Sequence, residues 1–292
     1  MFRGSITALI TPFRNGNVDE KAFQDFVEWQ IQEGSHGLVP CGTTGESPTL
    51  SHDEHRRVVE LCVEVAKGRV PVIAGTGSNS TAEAIELTKH AKRAGADGAL
   101  VVTPYYNKPT QEGLLLHYRA IADAVEIPIV IYNIPGRSVI DMSHQTMLQL
   151  SKHPNIVGVK DATADLARPV RVRLDMGDNF AQLSGEDLTA VAFLAQGGVG
   201  CISVTANVAP RLCAQLQDAW QLESYDDVFR IRDILAPLHD AMFVETNPAP
   251  VKFAAYMLGK CTGETRLPLA PLSVKAQARI EEAMRAVGLL AD

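Results

Sequence analysis

From its first residues to about residue 207 the chain alternates between short runs rich in β-branched and aromatic residues and longer amphipathic segments, and this alternation limits the possible folds. The β-rich runs are SITALITPF (5–13), GLVPCGTTG (37–45), PVIAGTG (71–77), GALVVTPYY (98–106), PIVIYNIP (128–135), IVGVKDAT (156–163), NFAQLSG (179–185) and GVGCISVTAN (198–207). They recur at roughly 25–35 residues, the length of one βα unit. Between them lie helical patterns such as DEKAFQDFVEWQIQEG, where Phe23, Phe26, Val27 and Gln30 or Ile31 trace one face and Gly34 supplies a stop. Eight such units fit an α/β fold, a closed parallel (β/α)8 TIM barrel; the alternative is a doubly wound open sheet, which usually has fewer strands and a nucleotide-binding first turn. After residue 224 the strand signals stop and three amphipathic segments follow. The expected organisation is therefore a catalytic barrel over 1–224 and a C-terminal helical region over 225–292.

Composition narrows the function classes. A net charge of −7 and a pI near 5.6 argue against a nucleic-acid partner, which usually calls for a clustered basic surface. There is no apolar run long enough for a membrane span, and MFRGSITALITPF lacks the basic leader and cleavage site of a secretory signal, so a cytoplasmic protein is expected. The five cysteines, Cys41, Cys62, Cys201, Cys213 and Cys261, are scattered without a C-x-x-C pair and read as reduced thiols, mostly in the core.

One residue is out of character with its strand. In IVGVKDAT every neighbour suits a buried parallel strand, yet Lys160 places an ammonium there. Strand alternation puts Ile156, Gly158, Lys160 and Ala162 on one face and Val157, Val159, Asp161 and Thr163 on the other. With Val157 and Val159 against the helices, Lys160 points into the lumen near the C-terminal end of the sixth strand, where active sites of such barrels lie. A solvated lysine titrates near about 10.4, and desolvation lowers that by up to ~3–5 units, so a lumen lysine can serve as a nucleophile that forms a Schiff base with a carbonyl. The competing reading is a lysine paired with a carboxylate at the strand end.

Other chemistry-bearing residues fall at the same end. Tyr132, two residues beyond Val130 on the fifth strand, brings a phenol that can shuttle protons, against the alternative of ordinary packing. The turn at Pro135 and Gly136 presents Arg137, whose guanidinium suits a carboxylate. CGTTGES ends the second strand, with Gly42 and Gly45 allowing close backbone approach and Thr43 and Thr44 offering hydroxyls and amides; a locally capped βα turn is the plainer reading. GTGSNS is not a dinucleotide loop, since Ser80 stands where the third glycine belongs. HDEH lacks zinc-site spacing, and Ser51 with Glu54 reads instead as a capping box.

Together CGTTGES, GTGSN, YYNKPTQEG (105–113), YNIPGR (132–137), GVKDAT (158–163), SGED (184–187), GCISVTAN (200–207) and NPAPVK (247–252) resemble the dihydrodipicolinate synthases, over essentially the whole chain. The resemblance implies that Lys160 condenses with pyruvate, that Tyr132 donates and accepts protons, and that Thr44 links it to Tyr106, which reaches into the site of a neighbouring subunit. It implies that Thr43, Thr44, Gly185 and Ile202 line the pyruvate pocket and that Arg137 binds the carboxylate of L-aspartate 4-semialdehyde. It also implies a covalent pyruvate imine as the only intermediate carrier, with no metal or organic cofactor, and a homotetramer built as a dimer of dimers. Sialic acid lyases share the lysine and tyrosine, but they typically carry a GST version of GTTGE and lack the arginine of PGR. Ser47, His52, His55, Asn79, Glu83 and Tyr105 match positions at which L-lysine binds in feedback-inhibited members. Two other readings stand beside the synthase: a catalytically silent barrel that senses a keto acid or lysine, and an aldolase with the same imine chemistry but a different aldehyde.

Overall fold

The computed structural model describes residues 2–291. Eight parallel strands form its sheet: β1 (Gly4–Ala8), β2 (Gly37–Val39), β3 (Ile73–Gly75), β4 (Gly98–Val102), β5 (Ile129–Asn133), β6 (Ile156–Asp161), β7 (Ala181–Ser184) and β8 (Gly200–Ser203). Their hydrogen-bonded order runs β2-β1-β8-β7-β6-β5-β4-β3. The two ends of that order meet through a parallel bridge between Leu38 and Val72, with Leu38 N–H donating to Pro71 O at 3.0 Å and Gly75 N–H to Pro40 O at 2.9 Å. The sheet is therefore a closed barrel rather than an open doubly wound sheet. The seam requires glycine, because a Cβ at Gly75 would lie 2.2 Å from the Cys41 carbonyl oxygen.

Helices follow the strands in turn: α1 (Glu20–Gln32), α2 (His52–Ala66), α3 (Thr81–Ala94), α4 (Gln111–Ala124), α5 (His144–Leu150), α6 (Arg168–Met176), α7 (Ala190–Ala195) and α8 (Pro210–Gln221). Their starts follow the local chemistry. Asp19, Ser51, Ser80, Thr110 and Ser143 each accept a backbone N–H of the first turn, and Ser51 with Glu54 forms the reciprocal capping box. On α1 the expected face is the buried one, comprising Phe23, Phe26, Val27 and Gln30; the three apolar side chains contribute roughly 1.5–3 kcal/mol each by burial.

Strand alternation sorts the core into two layers. Ile6, Val39, Ile73, Leu100, Val130, Leu183 and Ile202 fill the lumen, while Val101, Ile131 and Val159 pack with Leu114, Tyr118 and Met147 of the helices. Beyond α8 come α9 (Tyr225–Ala241), α10 (Ala249–Met257) and α11 (Val274–Ala286). Val228, Ile231, Leu235, Val251 and Ile280 of these helices share one continuous apolar core with α1 and α2, so the C-terminal region is packed directly on the barrel. All five thiols are unpaired, and four are buried. Among the described residues no helix is long and apolar enough to cross a membrane.

Candidate active site

Lys160 is the fifth residue of β6, flanked across the sheet by Tyr132 on β5 and Leu183 on β7. The pairing steps from Ile129–Ile156 to Val130–Gly158, leaving Val157 as the extra residue of a bulge. This slip reverses the expected faces of two residues: Ile156 packs beneath the helices and Val157 against the lumen cluster. Past the bulge the expected alternation resumes, with Val159 outward and Lys160 beside the lumen tyrosine. Nζ stands 4.1 Å from the centroid of the Tyr132 ring, and both residues are only 5% exposed. The ring face interacts favourably with the amine in its charged form.

No carboxylate locks this nitrogen among the described residues. Asp161, next in sequence, faces the other way; it accepts from Thr163 N–H at 2.8 Å and meets Arg168 Nε at 3.2 Å. Glu186, in the loop after β7, is held above the usual carboxylate range by burial and by the charge of Asp187, with Lys160 acting in the opposite sense.

The loop after β2 carries Thr43 and Thr44. Gly45 N–H donates to Gly42 O and Glu46 N–H to Thr43 O, both at 3.1 Å, while Cys41 (φ 56°) and Glu46 (φ 55°) take the left-handed conformation that the tight turn demands. Thr11 Oγ1 donates to Gly45 O at 2.7 Å, and Thr44 is buried. Gly185 closes the loop after β7 with its N–H 2.6 Å from Asp161 O, and Ile202 is fully buried on β8. Arg137 lies on a single helical turn, Pro135–Ser138, whose Ser138 hydroxyl accepts from Thr103 Oγ1 at 3.0 Å. The guanidinium is exposed, and its Nη2 donates to Asn247 O at 3.2 Å. Thus Lys160, Tyr132, Thr43, Thr44, Arg137, Gly185 and Ile202 all stand at or beyond the C-terminal ends of parallel strands. Tyr106 differs: it is 89% exposed, with left-handed backbone at φ 71°, and makes no hydrogen bond to Thr44 within the chain.

Of the second set of residues, four adjoin. His52 Nε2 meets Glu83 Oε1 at 2.8 Å, and Ser78 donates its hydroxyl to the same carboxylate. That Ser78 bond is the main cause holding Glu83 below its ordinary pKa, against the effect of burial. Tyr105 is raised by burial and by the Glu83 charge, opposed by the polar groups of Asn79 and Ser78. Ser47 opens the short turn Ser47–Thr49 and shares no side-chain hydrogen bond with the others. His55 is buried; its Nε2 donates to Gly75 O at 2.8 Å, which fixes the neutral tautomer.

Burial lowers His55 to about 4, and does the same to His117 on α4, which is 5% exposed. Between pH 6.5 and about 4 the unfolded chain therefore binds more protons than the folded one. Stability present above that window is lost as pH falls through it, by about 3 kcal/mol for each imidazole. Urea midpoints measured from pH 7 to 4 should fall, and the fall should be shallower in His117→Gln; an unchanged slope would remove His117 from this account.

Residues beyond those expected from the sequence complete the site's support. Asn247 Nδ2 donates to Thr44 Oγ1 at 3.1 Å, and the fully buried Lys252 places Nζ 2.6 Å from Glu46 Oε1 and 4.0 Å from the Phe13 ring centroid. The second Glu46 oxygen accepts from Arg266 N–H at 3.0 Å. Burial lowers the Lys252 pKa, opposed by the Glu46 charge. The signal available in sequence was the NPAPVK motif itself; no periodicity rule sends a helical lysine inward to a loop some two hundred residues earlier.

Comparison with known proteins extends the geometry. Residues 1–287 match the model of the dihydrodipicolinate synthetase family. A 4-hydroxy-tetrahydrodipicolinate synthase from Rhodospirillum centenum is 70% identical over 290 residues, covering 99% of this chain and all of the relative. Among solved structures, the chloride-inhibited dihydrodipicolinate synthase from Acinetobacter baumannii complexed with pyruvate superposes with a TM-score of 0.97 at 45% identity, over 99% of this chain and 100% of that one. The dihydrodipicolinate synthase of Cyanidioschyzon merolae with lysine bound gives 0.96 at 39% identity, over 99% of both chains. The closed barrel, the unpaired lumen lysine and these matches together establish that the chain belongs to the dihydrodipicolinate synthetase family.

Proposed function

We propose that the chain is a Schiff-base-forming lyase that condenses pyruvate, held as an imine on Lys160, with L-aspartate 4-semialdehyde and releases 4-hydroxy-tetrahydrodipicolinate, on the route to diaminopimelate and lysine. The observation that carries this reading is the Lys160 amine, buried at the mouth end of β6 beside Tyr132 and, among the described residues, free of any carboxylate. The free amine attacks C2 of pyruvate and water leaves, giving an iminium that draws electrons from the methyl group. Loss of a C3 proton yields the enamine; C3 then attacks the aldehyde carbon, whose oxygen takes up a proton. The substrate's own amine closes onto C2 and displaces Lys160, regenerating the enzyme. Because the iminium is the electron sink, the steps call for neither metal nor organic cofactor.

In this reading Tyr132 moves protons at the carbinolamine oxygen and at C3, relaying them through Thr44 to Tyr106 of a second subunit. Support comes from the exposure of Tyr106 in the single chain, which fits a side chain completed by assembly into tight dimers and a tetramer. The amides at Thr43 and Thr44 meet the pyruvate carboxylate, with Gly185 and Ile202 lining the pocket. Arg137 grips the carboxylate of the aldehyde substrate. L-Lysine acts as feedback inhibitor at Ser47, His52, His55, Asn79, Glu83 and Tyr105, where the Glu83 carboxylate suits an ammonium; a relative with lysine bound supports lysine as a ligand of this fold.

A coupled assay with pyruvate and aspartate semialdehyde, run with and without lysine, tests the whole reading: turnover that lysine suppresses is expected. In Arg137→Ala the pyruvate adduct should form normally, while condensation drops roughly 10- to 100-fold, the worth of a charged hydrogen-bonded contact of about 1.5–3 kcal/mol. Unchanged condensation would reject the arginine's role.

A further inference from the structure

The NPAPVK segment lies outside the residues assigned to chemistry above, yet Asn247 touches two of them. Its Nδ2 donates to Thr44 Oγ1 at 3.1 Å, and its backbone carbonyl accepts from Arg137 Nη2 at 3.2 Å. The side chain is 6% exposed, and Oδ1 is buried without a protein partner. One residue from the C-terminal region therefore joins the hydroxyl after β2 to the guanidinium after β5. We propose that Asn247 is a positioning residue for the condensation, setting the direction of the Thr44 hydroxyl proton so that Thr44 can pass protons between the two tyrosines of the relay. The proposal rests on the proton relay given under Proposed function.

The physical basis is the valence of a hydroxyl, which has one hydrogen to give and two lone pairs to receive. An amide NH2 only donates. By occupying one lone pair of Thr44 Oγ1, it leaves the other lone pair to accept from one phenol and the single hydrogen to go to the next. When a proton arrives at Thr44 from Tyr132, the hydroxyl's own hydrogen leaves toward the second phenol, and the hydroxyl is regenerated with its orientation reversed. The amide bond is the same before and after, so the relayed hydrogen never comes to rest on Asn247. An acceptor at this position would do the opposite: it would hold the Thr44 hydrogen, and the hydroxyl could then only receive. This is the orientation in the structure, with Nδ2 on Thr44 Oγ1 and Oδ1 left without a protein partner.

The amide also stands where the arginine is tethered. That tether runs through the main chain and so survives side-chain replacement, which lets the two effects be separated. A side chain that only steers Thr44 should alter turnover and leave the binding of the aldehyde substrate alone.

The test uses the whole assembled enzyme and the variants Asn247→Asp and Asn247→Ala. Aspartate keeps the shape but only accepts, so kcat should fall on the order of 10²-fold, the lower range for a positioned proton transfer. The KM for aspartate semialdehyde should stay within about threefold, and end-point borohydride trapping of pyruvate on Lys160 should remain complete though slower to develop. Asn247→Ala, which introduces no buried charge, should lose turnover less severely, with the same KM, and serves if the aspartate variant fails to assemble. Wild-type kcat in either folded variant would overturn the proposal, as would a loss residing only in KM or a loss matched by failure to fold in both. Absence of a Lys160 adduct in the unaltered enzyme would instead overturn the imine reading itself.

Discussion

Lys160→Met will lose condensation by at least about 10³-fold while remaining folded and no less stable than the parent. The catalytic half of this result follows from covalent chemistry: a thioether has no electron pair able to form an imine, and the remaining site can only bind pyruvate without activating its methyl group. The stability half follows from where the lysine sits. Its nitrogen is buried against the Tyr132 ring with no ion-pair partner among the described residues, beside Leu183 on the next strand. Replacing a buried, unpaired amine by an apolar chain of similar volume removes a desolvation cost and keeps the packing. Function is thus bought at the expense of stability at this position, and thermal melting of the two proteins side by side will show it. A melting temperature well below the parent's would mean that Lys160 is a structural residue first.

Lys252→Met should have the contrary profile, with its main effect on stability. Lys252 is fully buried, and Glu46, 3% exposed, would be left as a carboxylate with the Arg266 N–H but without its counter-charge. Removing one member of such a pair costs about 3–5 kcal/mol, largely the penalty of the stranded charge. Replacing the partner as well, in the double variant Lys252→Met with Glu46→Gln, should recover much of that loss, since an amide oxygen still accepts from Arg266 N–H. Glu46 ends the loop that carries Thr43 and Thr44, held in left-handed backbone, so turnover should stay depressed in the double variant even after stability returns. Denaturant midpoints and kcat measured on the same samples separate the two; a single variant with the parent's midpoint would mean that the pair contributes little.

The barrel could be read from the sequence because β-rich runs recur at the spacing of a βα unit and the helices α1 to α5 each begin at a capping residue. What could not be read was where strands stop. GLVPCGTTG suggests a strand over 37–45, yet β2 ends at Val39; GALVVTPYY suggests 98–106, yet β4 ends at Val102. The residues beyond include threonines and tyrosines, whose β-propensity is high but whose backbone has been turned into loops, with Cys41, Glu46 and Tyr106 all at positive φ. The site lives in those loops, so propensity misplaces strand ends where function takes over. The bulge at Val157 was hidden for a different reason: in a strand buried on both faces, alternation carries no polar contrast, and only the hydrogen-bond register reveals the slip. Lys160 stood out because a charge among apolar residues needs an explanation. Asn247 and Lys252 did not, since an asparagine before proline and a lysine on a short helix look like ordinary surface residues. Their burial depends on the C-terminal region folding back onto the β2 loop, a contact set by tertiary packing alone.

The most direct test of the central claim is to incubate the protein with pyruvate, reduce with borohydride and map the modified peptide. One reduced adduct per chain is expected, on Lys160, abolished in Lys160→Met and untouched in Lys252→Met samples that remain folded. Modification of another lysine, or none at all under conditions of measurable turnover, would contradict it.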